Sequence, residues 1–190
     1  MRKIHEKYEN PFDNFIYYFV ERTAEFHYQL GLSPNVLTTI SLFFGILAYQ
    51  NIMKHNFKLG ALCFVIAYYY DCLDGYVARS YDMVTKFGDY YDHFCDTFKL
   101  IIVLFALYKI NNKLFIKILP IIIIALILLA VHMGCQEKLY NKFDESNTLN
   151  VFVPLCKTNN IKKKINITKY FGCGTFITLV TLIIFFYKIN

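Results

Sequence analysis

Tryptophan is absent from this 190-residue chain, and proline (4 residues), glycine (8) and charge (18% Asp, Glu, Lys and Arg) are all sparse. A soluble domain carries about 25% charged residues. With so little charge, 56% apolar residues and a mean hydropathy of +0.37, a water-soluble fold of this size is excluded. Phe (19) and Tyr (16) are too numerous for a disordered chain. The cysteines, Cys63, Cys72, Cys95, Cys135, Cys156 and Cys173, form no C-x-x-C pair and have no metal-finger spacing. That pattern predicts neither a disulfide framework nor a zinc site. The opening MRKIHEKYEN is not followed by a short apolar core with a cleavage site, so no removable signal peptide is expected. Internal repeats and low-complexity linkers are also missing.

What remains is apolar length. Five apolar runs fall near 36–53, 59–79, 87–109, 114–134 and 168–188, each close to the roughly 20 residues that cross a hydrocarbon core. Short connections at His55-Asn56 and Asn111-Asn112 imply antiparallel neighbours, and Pro120 sits inside the fourth run. Before them, residues 12–30 place Phe12, Ile16, Phe19, Thr23, Phe26 and Leu30 on one helical face. Asp13, Glu21, Arg22, Glu25 and Gln29 occupy the others, which describes an amphipathic helix on the membrane surface or packed on the rest of the protein. The expected fold is all-α: a polytopic transmembrane helix bundle of five to six spans with an N-terminal amphipathic surface helix. One domain covers 1–190, with 1–34 at the surface and 36–188 in the bundle.

The net charge of +6 comes from Lys and Arg that flank the apolar runs, which suits anionic lipid headgroups and excludes a nucleic-acid partner. Counted near the span ends, thirteen basic residues fall on one side and six on the other, with Lys99 inside the third run. The richer side is expected to be cytoplasmic, in a multi-pass integral membrane protein. Asn166-Ile167-Thr168 fits a glycosylation triplet but falls on that side.

Six of the fourteen acidic residues, Asp71, Asp74, Asp82, Asp89, Asp92 and Asp96, lie between 71 and 96, where the second run ends and the third begins. Carboxylates at membrane depth are costly unless paired or metal-bound. Asp71 and Asp74 are spaced i, i+3 and Asp92 and Asp96 i, i+4, so two antiparallel helices joined around 80–86 bring the pairs face to face. Four carboxylates match two divalent cations in charge, and hard oxygen ligands select Mg²⁺ or Mn²⁺. Gly75, Ala78 and Gly88 leave room for a bulky ligand, and Arg79 is a planar cation suited to phosphate. The assembly reads as a diphosphate site on two metals.

The full string, Asp71-x-x-Asp74-Gly75-x-x-Ala78-Arg79, eight residues, Gly88-x-x-x-Asp92-x-x-x-Asp96, resembles the signature of the CDP-alcohol phosphatidyltransferases at all eight fixed positions. Pro34-Asn35-x-x-Thr38 is similar to the family's Pro-Asn-x-x-Thr. The resemblance implies a phospholipid-biosynthetic transferase. It would move a substituted phosphate from a CDP-linked donor (CDP-diacylglycerol or a CDP-aminoalcohol) to an alcohol, releasing CMP. It implies that Asp71, Asp74 and Asp92 hold the metals, and that Asp96 touches the second metal and acts as base. Asp74, Gly75, Ala78, Arg79, Thr85 and Gly88 would contact the CDP donor, with Asn35 and Thr38 as further contacts. Lipid and CDP-linked substrates are the implied partners, with a homodimer compatible and the endoplasmic reticulum the expected membrane in a eukaryotic host. Asp92-His93-x-Cys95-Asp96 is similar to the choline and ethanolamine branch. Six spans are usual in the family and five are counted here. Either a short span lies in 139–156 or the fold is trimmed, which leaves the far wall of the acceptor pocket open.

Other readings are weaker. A Mg-dependent membrane prenyltransferase would want two separated Asp-rich motifs. A non-enzymatic cation-binding protein would not need Gly75, Ala78 and Arg79 at these spacings. Asp82 and Asp89 match no signature position and read as solvated turn or helix-end residues, His93 as a packing or hydrogen-bonding residue, and Lys162-Lys163-Lys164 as a membrane-surface run, with binding of a phosphorylated acceptor such as glycerol phosphate as the alternative.

Overall fold

The structure, a computed structural model, describes residues 1–140 and 148–187. Seven α-helices are described: α1 (Pro11–Gln29), α2 (Pro34–Met53), α3 (Phe57–Ser80), α4 (Lys86–Ile110), α5 (Asn112–Tyr140), α6 (Ile161–Thr168) and α7 (Cys173–Phe185). No strand occurs among the described residues. The molecule is a polytopic helical bundle. Three stretches are long and apolar enough to cross a membrane by length and composition: Pro34–Met53, Asn112–Tyr140 and Ile161–Phe185. The second and third runs form α3 and α4, whose lengths of 24 and 25 residues are sufficient but which carry the acidic cluster. Residues 149–155, within the stretch where a further short span was expected as one alternative, form a 3-10 turn, while 141–147 of that segment, with Lys142, and Lys188 lie outside the described residues.

Helix boundaries follow local chemistry. Asn10 caps α1 by accepting from the backbone N–H groups of Phe12 and Asp13, and Pro11 fills the first turn, where its missing donor costs nothing. At the other end Gly31, with φ of 76°, closes a Schellman motif: Leu32 N–H donates to the His27 carbonyl and Gly31 N–H to that of Tyr28. The α3–α4 turn is equally tight. Asp82 takes a left-handed φ of 53°, and Met83 N–H returns to the Ala78 carbonyl at 2.8 Å. The side chain of Thr85 then caps α4 by accepting from Gly88 N–H. This turn folds α4 back along α3 and so sets the two Asp pairs opposite each other.

Two apolar clusters hold the helices. The larger joins α2, α3, α4, α5 and α7 through Ile52, Phe64, Val103, Leu107, Ile122 and Val180. The smaller seats α1 on α2 and α3 through Tyr17, Val20, Ala24, Leu37, Leu73 and Val77. The buried face of α1 is therefore Asp13, Tyr17, Val20 and Ala24. Four of the six residues read from the sequence as its apolar face point outward, Phe12, Phe19, Phe26 and Leu30 at 44–60% exposed, while Ile16 packs on the smaller cluster and Thr23 meets the Tyr69 hydroxyl. The helix has two apolar faces, one for the bundle and one left to lipid, because Tyr17 and Val20 complete a second stripe that charged neighbours obscure. On α5, Ile116, Ile121, Ile123, Ile124 and Ile127 form a comparable outward belt.

A further departure concerns cysteine. Cys135 and Cys156 form a disulfide, with Cα atoms 5.0 Å apart. Their 21-residue separation has no motif spacing. The turn that folds 149–155 back on α5 brings them together, and that turn is invisible to spacing rules.

Close packing of α2 on α3 depends on Gly60. A Cβ there would lie 2.9 Å from Ile52 Cγ1 and 3.3 Å from the Ala48 carbonyl oxygen. Gly60→Val is expected to destabilise the bundle by about 1–3 kcal/mol, as overpacking does. A lowered melting temperature in detergent, with helix content unchanged at low temperature, is the measurement that checks it.

Candidate active site

The end of α3 and the start of α4 supply the acidic residues. Asp71, Asp92 and Asp96 each offer a carboxylate oxygen within 4.8 Å of the others. Hard divalent cations are bound by such oxygen clusters. Asp92 Oδ1 is also buried with no protein hydrogen-bond partner. An orphaned carboxylate oxygen of this kind calls for a cation or an ordered water. The residues present therefore fit a metal.

Asp74 stands slightly apart. It is 4% exposed and accepts a hydrogen bond of 2.5 Å from Thr38 Oγ1. Thr38, expected to touch substrate, here joins α2 to α3 through that carboxylate, and Thr38 Oγ1 also contacts the Pro34 carbonyl at 3.1 Å. A cavity of about 240 Å³ runs along this face. Its walls bring together every residue singled out in the sequence: Asp71, Asp74, Asp92 and Asp96, then Gly75, Ala78, Arg79, Thr85 and Gly88, then Asn35 and Thr38. Two small residues have a local role besides leaving space. A Cβ on Gly75 would sit 3.0 Å from an Arg79 guanidinium nitrogen, so Gly75 is what lets Arg79 lie back over the helix. Arg79 Nε also donates to the Met1 carbonyl at 2.9 Å. A Cβ on Gly88 would meet Thr85 Oγ1 at 3.0 Å and Asn35 Oδ1 at 3.2 Å, crowding the cap of α4.

The sequence reading set Lys99 aside, and the structure places it in the centre. It is 5% exposed. Its ammonium donates to Asp71 Oδ1 at 2.9 Å, Asp96 Oδ1 at 2.7 Å and Ser41 Oγ at 2.5 Å. Gly45 makes room for the lysine stem, since a Cβ there would fall 2.5 Å from Lys99 Cγ. Two signals were available: a single Lys inside an apolar run, and its i, i+3 spacing from Asp96.

Asp89 also departs from its reading as a solvated residue. Its carboxylate accepts from Thr148 N–H at 3.1 Å and from Thr148 Oγ1 at 3.0 Å. His93 Nδ1 is 3.0 Å from the same hydroxyl and 2.8 Å from the Asp89 carbonyl oxygen. This pair holds the segment after residue 147 against the start of α4. Asp82 remains an exposed turn residue.

Two acids from the N-terminal region, Glu9 and Asp13, also line this cavity and are buried. Burial, and secondarily the charge of Asp13, pushes the Glu9 carboxyl up to about 8. Burial likewise pushes Asp13 up to about 7, against the opposing hydrogen bond donated by the Tyr68 hydroxyl. Near neutral pH this part of the lining thus carries less negative charge than its composition suggests.

Removing one partner of a buried ion pair costs about 3–5 kcal/mol because it strands the other charge. Lys99→Met is expected to destabilise the fold by an amount in that range, and adding Asp71→Asn should recover part of the loss. A double-mutant cycle of melting temperatures, read without added metal, checks the coupling.

A family model for CDP-alcohol phosphatidyltransferase matches residues 31–188. The chain is 46% identical over 55 residues to the CDP-diacylglycerol–glycerol-3-phosphate 3-phosphatidyltransferase of Rickettsia felis, covering 29% of this chain and 30% of that protein. It is 29% identical over 107 residues to the archaetidylinositol phosphate synthase of Pyrococcus horikoshii, covering 56% of this chain and 53% of that protein. The matched stretches thus span from under a third to about half the length of these relatives. No solved structure is significantly similar. The extent of the family match is decisive: this chain belongs to the CDP-alcohol phosphatidyltransferase family.

Proposed function

We propose that this member of the family transfers a substituted phosphate from a CDP-linked donor to an alcohol, releasing CMP. The observation that carries the reading is the convergence of Asp71, Asp92 and Asp96 on a cavity also lined by Gly75, Ala78, Arg79, Thr85 and Gly88. Asp71, Asp74, Asp92 and Asp96 would hold two divalent ions, Mg²⁺ or Mn²⁺. Bound there, the ions would supply positive charge to the donor diphosphate and to the departing CMP. Lys99 shares the cluster with them, donating to Oδ1 of both Asp71 and Asp96.

The chain's own residues do the rest. Arg79 pairs with the diphosphate, and Asn35, Thr38, Ala78 and Gly88 shape the wall against which the CDP portion lies. The alcohol oxygen attacks the phosphorus that carries the transferred substituent. Its proton passes to Asp96, the bond from that phosphorus to the bridging oxygen breaks, and CMP leaves with the electron pair. Lys99, one turn beyond Asp96, fixes the carboxylate's direction. The excess of Lys and Arg on the same side as the cluster supports a cytoplasmic active site, within the endoplasmic reticulum membrane in a eukaryotic host, and a homodimer is compatible.

Two outcomes test this. CMP release from CDP-linked donors should require Mg²⁺ or Mn²⁺ and stop with a chelator. Asp92→Asn should abolish it and also weaken Mn²⁺ binding measured by titration; full turnover of Asp92→Asn would remove the metal role. Asp96→Asn should still bind donor but lose about 10²–10⁴-fold in turnover, the usual worth of a positioned base. Donor binding and turnover falling together would make Asp96 chiefly a ligand.

A further inference from the structure

The segment that begins at Thr148 is a wall of the active site. Thr148 Oγ1 donates to the Asp89 carboxylate at 3.0 Å and lies 3.0 Å from His93 Nδ1, which sets the segment against the start of α4. The 3-10 strap Leu149–Leu155 follows. Leu149 lines the polar cavity with Asp92 and Asp96. Phe152 lines a second, apolar cavity of about 420 Å³, which Asp71 and Asp96 also border. At the far end of the strap, Cys156 is bonded to Cys135 on α5.

That covalent tie is the strongest fastening at the far end. A 3-10 turn of seven residues has poor hydrogen-bond geometry and does not hold itself in place. Val151 and Leu155 are 69% and 48% exposed, so two of its apolar side chains add little packing. Lys138 donates to the Cys156 and Thr158 carbonyls at 3.4 and 3.1 Å, contacts for which water substitutes once the end opens.

The location of the bond gives it a meaning beyond stability. The strap lies on the acidic-cluster side, for which the charge count supports a cytoplasmic position. Lasting disulfides are rare in that reducing compartment, and those found are usually transient or redox-sensing. The other four cysteines, Cys63, Cys72, Cys95 and Cys173, are free, although Cys72 and Cys173 line the polar cavity together. Pairing is thus selective: the one bond among the described residues is the one that fastens a wall of the site.

We propose that the Cys135–Cys156 bond is a redox latch on the active site. Oxidised, it holds the strap on α5 and keeps the wall closed; reduced, it frees the far end and lowers transfer. The inference rests on the transferase reading and the cytoplasmic placement proposed above. The co-reactant is a dithiol. One of its thiolates attacks a protein sulfur and forms a mixed disulfide, and its second thiol displaces that sulfur. Cys135 and Cys156 gain two electrons and two protons between them, and the dithiol becomes a disulfide. Both sulfurs belong to residues no more than 2% exposed, so exchange follows local opening of the far end, where Leu155 and Lys157 are exposed. Arg79, Gly75 and Ala78 belong to α3, so the proposed donor contacts survive the opening. What is lost is the exclusion of water from the cavity that holds Asp96.

Purified protein in detergent with Mg²⁺, before and after dithiothreitol, tests this. Alkylation and mass measurement count the thiols, while CMP release and donor binding are read on the same samples. Four free thiols are expected before reduction and six after it. Turnover should fall roughly 5- to 100-fold on reduction, the usual scale of coupling between two sites, with donor binding retained and turnover restored by reoxidation. Cys135→Ser and Cys156→Ser should each hold the low turnover and ignore dithiothreitol, whereas Cys63→Ala should keep the wild-type response. Six thiols before reduction, a bond that resists dithiothreitol in the folded protein, or unchanged turnover with six thiols overturns the latch and leaves the transferase reading intact. A response that persists in Cys135→Ser also overturns it. Absence of CMP release and of donor binding in both redox states overturns the transferase reading and this inference with it.

Discussion

The acidic cluster can stand among apolar helices only because positive charge reaches it. Carboxylates drawn this close together repel one another, the more so as each is partly withdrawn from water. In the protein alone, that charge is the ammonium of Lys99, shared by Asp71 and Asp96. Much of the surrounding bundle follows from the need to place it. Gly45 on α2 gives way to its stem, and Ser41, one turn earlier, accepts its third hydrogen bond while donating to the Ala67 carbonyl on α3. Three helices thus meet around one cation. The same interaction makes Asp96 a directed group, since a carboxylate with one oxygen tied down presents the other in a fixed direction.

The acidic motif was legible because its meaning lies in local spacing. Asp71 to Asp74 and Asp92 to Asp96 are single-turn separations on α3 and α4, and the short connection between them admits one antiparallel arrangement. Helix α1 was legible as an element but not as a packing unit. Its conspicuous Phe12, Phe19 and Phe26 are the residues that need no partner in the bundle, whereas Tyr17, Val20 and Ala24, flanked by charge, carry the contact. Lys99 was passed over because a charge count asks on which side of a membrane a lysine lies, and a lysine between the two sides drops out of that question. Thr38 and Gly75 were found by motif, yet their contacts with Asp74 and Arg79 show them organising neighbouring side chains as well as lining the cavity.

The least legible part was the region after α5, because its contacts are long-range and each is made by a different chemistry. Five consecutive residues at the end of α5 fasten what surrounds them. Gly134 leaves space for the backbone carbonyl of Phe152, and Cys135 bonds to Cys156. Gln136 donates to Glu9 at 3.3 Å, Glu137 pairs with Lys3, and Lys138 donates to the Thr158 carbonyl at 3.1 Å. No periodicity announces such a run, since successive residues on a helix point in different directions.

These contacts also place the described part of the segment between α5 and α6. Leu149–Leu155 forms a 3-10 turn that lies beside α5. It is held on α5 by Gly134 and the Cys135–Cys156 bond, and on α4 by Thr148 against Asp89 and His93. One of its residues, Leu149, reaches the polar cavity, and another, Phe152, the apolar one. The strap therefore bounds both halves of the site. Phe152 joins Phe64 of α3 and Phe176 of α7 in the aromatic lining of the apolar cavity. Between α5 and α6, therefore, a short segment fastened to α5 and α4 borders the cavity that holds the acidic cluster, so the character of that segment shapes one wall of the site.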